Sequence, residues 1–282
     1  MKLSCWIEHA PGQTLTQRAE FLARAGFDGF EIFLTVPDLM DNLDELRRIV
    51  DNETIDISAI GPIHQGWLVD PERSLREAAR REISSALQIA ADLGDVPVIV
   101  IPILGYTHAL PGGRTTGRSA REDTALLIEA LDELGRDAER VGSTLLLEVI
   151  NRYESPIVNQ IADGVDVIQA VDNSRCRLAV DFFHMNLEEV DLVKSLHSAA
   201  PVLAHVHMAD STRFLPGFGQ TDFLSLFSVL SEISYDGYLT VEAAVPHRAL
   251  TQTLPLVARY LRALSEVGAS RSRLIEPLTV DD

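Results

Sequence analysis

Eight short runs rich in apolar and β-branched residues recur along this chain, alternating with longer stretches of helical periodicity. No other feature restricts the fold as strongly. The runs lie at 2–7, 29–34, 55–60, 97–103, 144–150, 176–181, 203–208 and 238–243. Several, such as VIVIPI from Val98 and LLLEVI from Leu145, are apolar almost throughout, as parallel strands covered on both faces should be. Between 75 and 93, Ala79, Ile83, Ala86, Leu87, Ala90 and Leu93 recur at helical spacing, with Gly94 as a stop. Leu127, Leu131, Leu134, Ala138 and Val141 likewise mark a helix over 122–141, closed by Gly142. The phrases AGFDGFEI and SYDGYLTVE repeat one helix-to-strand turn early and late in the chain.

Eight βα units of roughly 35 residues consume the length. The pattern therefore predicts an α/β protein with a single catalytic domain, a (β/α)8 TIM barrel over residues 1–268, followed by a C-terminal tail at 269–282 where the helical period is lost. An open doubly wound sheet is the competing arrangement. It would carry a glycine-rich phosphate loop after its first strand, and IEHAPGQT from Ile7 does not match G-x-G-x-x-G.

The charge balance narrows the partners. With 42 acidic residues against 24 basic ones the net charge is −18, which repels a phosphate backbone, so no nucleic-acid partner is expected. No apolar run approaches the ~20 residues of a membrane span, so no membrane partner is expected either. MKLSCWIEHAPG reaches Glu8 and His9 without an apolar leader, and Cys5 and Cys176 lie far apart without metal spacing. The expectation is a cytoplasmic protein with reduced thiols and a small-molecule substrate.

In barrels of this kind the chemistry sits at the C-terminal ends of the strands. There the fifth run ends with Glu148, the sixth with Asp181, the seventh carries His207 and the eighth carries Glu242. Four consecutive strands would bring these residues to one point. Three carboxylates without a counter-charge repel and raise one another's pKa values, and a divalent cation resolves the conflict. Oxygen ligands with one imidazole suit Mn²⁺ first, with Mg²⁺, Co²⁺ or Zn²⁺ as alternatives. In the earlier half, Glu31 near the end of the second run, and His64 and Trp67 after the third, are candidate substrate contacts, the indole as cover for a sugar face. Arg114 and Arg118, after the fourth run, are the candidates for a phosphate contact, although an unphosphorylated substrate is preferred.

The segments EVINRYE, DFFHMN, HVHMADSTR and LTVEA resemble the motifs of the xylose-isomerase-like TIM-barrel superfamily of sugar isomerases and epimerases, most closely the D-tagatose 3-epimerase branch. The resemblance covers residues 145–243 in order. It implies that Glu148, Asp181, His207 and Glu242 bind the metal and that Glu148 and Glu242 form the acid/base pair. It also implies that His184 and Arg213 hold the oxygens of a ketose, that Glu154 steadies His184, and that the chain forms a homodimer or homotetramer. Thr212 departs from the pattern, standing where an asparagine is frequent.

The expected activity is a metal-dependent sugar epimerase or isomerase, acting on a keto sugar or related polyol ketone. A proton α to a ketone is removed, a cis-enediolate forms, and the proton returns on the opposite face or to the adjacent carbon. The competing readings are an inosose-type dehydratase on the same metal site and a non-catalytic sugar-binding barrel. An endonuclease IV type of repair enzyme, whose fold is related, uses a three-metal cluster with additional histidines, and eight histidines in all with a strongly acidic balance disfavour it.

Overall fold

Apolar strands buried on both faces satisfy their backbone N–H and C=O groups only through a ladder on each side. The computed structural model, which describes residues 1–244 and 250–275, shows the solution. Strands β1 (Lys2–Trp6), β2 (Gly29–Thr35), β3 (Asp56–Ile63), β4 (Val98–Val100), β5 (Leu145–Glu148), β6 (Cys176–Asp181), β7 (Leu203–Met208) and β8 (Tyr238–Val241) form a closed parallel barrel in sequence order. Closure is made by β8 on β1, from Lys2 opposite Tyr238 to Cys5 opposite Val241. The chain is thus a (β/α)8 TIM barrel, and each of the eight expected runs supplies one strand.

The strand ends differ from the sequence reading in ways the backbone explains. The ladder of β4 stops at Val100, two residues before Pro102, which has no N–H to donate. In contrast, β3 runs on to Ile63 because β2 stays paired with it as far as Thr35.

The helices ring the barrel: α1 (Leu15–Ala25), α2 (Val36–Asp41), α3 (Leu43–Asp51), α4 (Arg73–Asp92), α5 (Ala120–Val141), α6 (Ile161–Val171), α7 (Phe182–Glu188), α8 (Leu192–Ala199), α9 (Phe223–Glu232) and α10 (Leu250–Ile275). Their ends obey local chemistry. Ser119 and Glu122 form a reciprocal capping box at the start of α5, and Gly142 ends it at φ 86°. At the other end of the chain α10 continues through 269–275, past the point where the sequence reading begins a tail. Residues 276–282 of that tail lie outside the described residues. No helix among the described residues is long and apolar enough to cross a membrane.

Alternation along the strands divides the core in two. Leu145 and Leu147 belong to the large cluster between barrel and helices. Leu146 belongs instead to a small inner cluster with Ala59, Ile99 and Ala179. A residue two places further along the same strand faces the barrel axis one step higher.

Candidate active site

That alternation explains a glutamate after three leucines. Glu148 stands two residues beyond Leu146, and Asp181 two beyond Ala179, so both leave the inner cluster pointing along the same axis. Across the β6–β7 ladder Asp181 pairs with His207. Glu242 follows the last residue of β8, its N–H bonded to the Met208 carbonyl at 3.1 Å. The ligand atoms of Glu148, Asp181, His207 and Glu242 all lie within 4.8 Å of one another, the first three residues buried and the fourth partly so.

His207 is the centre of the group. Its Nδ1 is 2.8 Å from Glu148 Oε1 and 3.3 Å from Glu242 Oε2, and its Nε2 is 3.1 Å from Glu31 Oε2. Burial acts to lower the pKa of the imidazole, but Glu31, Glu148 and Glu242 overcome it and hold the imidazolium well above its ordinary range. Asp181 shows the converse balance. Burial pushes its carboxyl up, and the charges of Arg213, His184 and His207 bring it below the ordinary range.

Glu31 takes a place different from the expected one. It is fully buried, below the substrate-sized cavity and not on its wall. Its Oε2 receives both His205 Nε2, at 2.9 Å, and His207 Nε2, while its Oε1 is buried without a hydrogen-bond partner. Burial raises its carboxyl and the two histidines more than compensate, setting its pKa to about 2. Two inward positions, 31 and 33, explain the shift: Phe33 reaches the cavity and Glu31 stays one layer beneath it. His205 also meets Thr240 Oγ1 at 3.0 Å, so it belongs to this lower layer.

Arg213 reaches the site from the loop after β7. It adopts φ 61°, a left-handed conformation that costs a non-glycine residue of order 1 kcal/mol and persists only where surroundings enforce it. The guanidinium pairs with Asp181, lies 3.3 Å from Glu242 Oε2 and covers the Phe183 ring at 4.6 Å. Burial acts to lower the pKa of this guanidinium, and Asp181 and Glu242 raise it further above its already high ordinary value.

Asp210, which sequence reasoning passed over inside HVHMADSTR, enforces the loop. The carboxylate is buried and accepts the backbone N–H groups of Ser211, Gly217 and Thr221 at 2.8, 2.9 and 3.0 Å. Gly219 permits the approach, since a Cβ there would sit 2.2 Å from Asp210 Oδ1. Asp210→Asn turns one acceptor into a donor facing N–H groups, and is expected to cost about 1–3 kcal/mol. Thermal unfolding should show Tm lower by several degrees and KM raised through Arg213; an unchanged melting curve would leave the loop without this brace. Thr212 turns its hydroxyl to the Phe218 carbonyl at 3.2 Å and lies exposed, off the cavity wall.

His184, on the first turn of α7, is buried with Nε2 3.6 Å from Asp181 Oδ2. Its Nδ1 accepts the Asn151 backbone N–H at 3.3 Å and faces Asn151 Nδ2 at 2.7 Å. Glu154 acts on this histidine only through Asn151, whose Nδ2 donates to Glu154 Oε1 at 2.7 Å. Asn151 was therefore missed; it lies inside the quoted EVINRYE, and nothing in its neighbours marks it apart from turn formation.

A cavity of about 380 Å³ opens over the acid cluster, with Glu148, Glu154, His184, Arg213 and Glu242 on one side and His64 and Trp67 on another. His64 Nδ1 meets the Gly66 carbonyl at 3.0 Å and its ring meets Trp67 edge-on at 5.5 Å; burial lowers its pKa. The two phosphate candidates are engaged elsewhere. Arg118 pairs with Asp123 at 2.6 Å, and Arg114 covers the Tyr106 ring at 4.4 Å.

The donor set fits a divalent cation. Three carboxylates and one imidazole converge in a site of low solvent access, where one hard ion supplies more counter-charge than the His207 proton does. Glu31 on Nε2 leaves Nδ1 facing the other carboxylates, the arrangement in which a carboxylate would orient a metal-binding histidine.

Comparison with known proteins agrees with this fold. The model of the family described as xylose isomerase-like TIM barrel matches residues 19–264. The 3-dehydro-D-guloside 4-epimerase of Escherichia coli strain K12 is 30% identical over 234 residues, covering 83% of this chain and 88% of that protein. The D-psicose 3-epimerase of Ruminiclostridium cellulolyticum is 28% identical over 229 residues, covering 80% and 77%. Among solved structures, apo 3-keto-D-glucoside 4-epimerase from E. coli superposes with a TM-score of 0.87 at 29% identity, covering 93% of this chain and 99% of that one. The strand order, the converged acids at the C-terminal ends and the extent of the match lead to one assignment: the chain belongs to the xylose isomerase-like TIM barrel family.

Proposed function

We propose that the protein is a metal-dependent sugar epimerase or isomerase that acts on a keto sugar or related polyol ketone. The observation that carries this reading is the pair Glu148 and Glu242. Both line the cavity, and both approach the same atom, His207 Nδ1, so they flank one point from different strands. A divalent cation, Mn²⁺ the first to test, supplies the electrophilic pull on a carbonyl oxygen that makes its α-hydrogen acidic. Glu148, Asp181, His207 and Glu242 would hold it.

The remaining work belongs to side chains. One glutamate takes the proton from the carbon beside the ketone, and the other returns it from the opposite side of the planar enediolate, inverting that centre. Return to the neighbouring carbon gives aldose–ketose isomerisation. Arg213 and His184 present donors to substrate oxygens, and the Arg213 charge favours the enediolate over the neutral ketone. The relatives named above differ in the carbon they epimerise, one at position 4 and one at position 3, so the carbon is left to experiment.

Solvent deuterium incorporation, followed by NMR over a panel of keto sugars in D₂O, tests the reading. Label is expected on a carbon adjacent to the ketone with Mn²⁺ present and is expected to vanish on chelation. Label that persists unchanged after the cation is stripped would defeat it, and loss of water from the substrate would identify a dehydratase.

A further inference from the structure

His184 has two ring nitrogens, and what each of them meets decides which one carries the proton of the neutral ring. Asn151 stands on the Nδ1 side, and both residues are buried. The Asn151 amide is oriented by its surroundings. Its Oδ1 accepts the Tyr153 backbone N–H at 3.0 Å, and its Nδ2 donates to Glu154 Oε1 at 2.7 Å. Turned over, the amide would set its oxygen against that carboxylate and its NH₂ against an N–H, so the orientation is fixed. The second Nδ2 proton then faces His184 Nδ1 at 2.7 Å, and the Asn151 backbone N–H points to the same nitrogen at 3.3 Å. With two donors in front of it, Nδ1 offers its lone pair. The proton is therefore on Nε2.

Nε2 lies on the other edge of the ring, 3.6 Å from Asp181 Oδ2, which is beyond hydrogen-bond length. His184 lines the cavity together with Glu148, Arg213 and Glu242, so its Nε2 proton is available to an oxygen of a molecule bound there. Resting on the reading of the site as a keto-sugar epimerase or isomerase, we propose that Asn151 is the positioning residue that holds His184 in the Nε2–H tautomer. The ring then donates a hydrogen bond to a substrate oxygen and takes no proton from carbon. Such a donor acts most strongly on an oxygen that gains negative charge as the enediolate forms. With no lone pair turned to the substrate, His184 leaves the removal and return of the proton to Glu148 and Glu242. Glu154 contributes at one remove, by fixing the Asn151 amide.

The test is long-range proton–nitrogen NMR of the protein labelled at histidine, at a pH of about 9, where an ordinary imidazole is neutral. The His184 signals are identified by their loss in His184→Gln. In the parent, Nε2 is expected to be protonated and Nδ1 bare. That spectrum needs no variant to fold, and a proton on Nδ1 would overturn the inference while the epimerase reading stands. Asn151→Asp puts an acceptor in place of the NH₂ and should draw a proton to Nδ1. With Mn²⁺ present, kcat for deuterium exchange is expected to fall in step with the loss of the Nε2 proton. Where that proton is gone the fall should be about 10²–10³-fold, the scale of removing one donor from a developing oxyanion. Mn²⁺ affinity should not fall, since none of the four residues proposed to hold the cation is changed, and this separates the effect from general damage. An unchanged kcat with the proton moved to Nδ1, or a variant ring that keeps its proton on Nε2 alone, would also overturn the inference. Absence of exchange by the parent in every keto sugar, with the tautomer as expected, would bring down the epimerase reading and the role of His184 with it.

Discussion

Glu148→Gln and Glu242→Gln are each expected to lower kcat by at least about 10³-fold, within the range that general acid–base groups supply and with the loss of a metal ligand added to it. Glutamine keeps the shape of the side chain but neither accepts the substrate proton nor carries charge. Circular dichroism and thermal unfolding should show the barrel intact, because removing one charge from an acidic cluster relieves repulsion. The two variants should differ in which epimer they still label. In a two-base site the surviving glutamate continues to draw a proton from the face it serves, so single-turnover exchange should persist for one epimer in each variant, and for opposite epimers in the two. If both variants turned over at the parent rate, the acid/base pair would be wrong.

Glu31→Gln is expected to weaken cation binding by about 10–100-fold, the usual consequence of removing the carboxylate behind a ligating histidine. The reason is positional. Glu31 Oε2 receives Nε2 of both His205 and His207, and so fixes which His207 nitrogen faces Glu148 and Glu242. Without the negative charge the ring is free to rotate or exchange tautomers, and fewer chains present Nδ1 upwards. Titration of the cation-free protein with Mn²⁺, in competition with a chelator, measures this directly. Thermal unfolding of the cation-free variant separates positioning from general damage. An affinity equal to that of the parent would show that His207 is oriented by its remaining neighbours. Binding of two equivalents of cation by the parent, reduced to one in Glu31→Gln, would instead make Glu31, His205 and His207 a second cation site.

The barrel was legible because its signal is repeated. Eight apolar runs, each with its own helix, leave little freedom in the topology, and an error at one strand end does not disturb the rest. The converging residues were legible for a related reason: a charged residue at the end of an apolar strand is costly, and Glu148, Asp181 and Glu242 each stand at such a place. Depth was harder to read. Glu31 and Phe33 lie on one face of one strand, and only the closed barrel decides which reaches the cavity and which stays beneath. Asn151 and Asp210 were hidden by their ordinary appearance, since short polar residues in loops usually do no more than make turns. Here the same turn-forming chemistry holds His184 and Arg213 in place.

The four residues proposed to hold the cation come from four successive βα units, and the last of them, Glu242, directly follows Val241, which pairs across the closing seam with Cys5. Cation binding is therefore bound to the slowest kind of event in folding, the meeting of segments far apart in sequence. An open sheet of seven strands would hold Glu148, Asp181 and His207 but lack the fourth ligand. During refolding, high-affinity uptake of the cation would mark the moment at which the two ends of the sheet find each other, and the bound ion would then act as a latch on the seam.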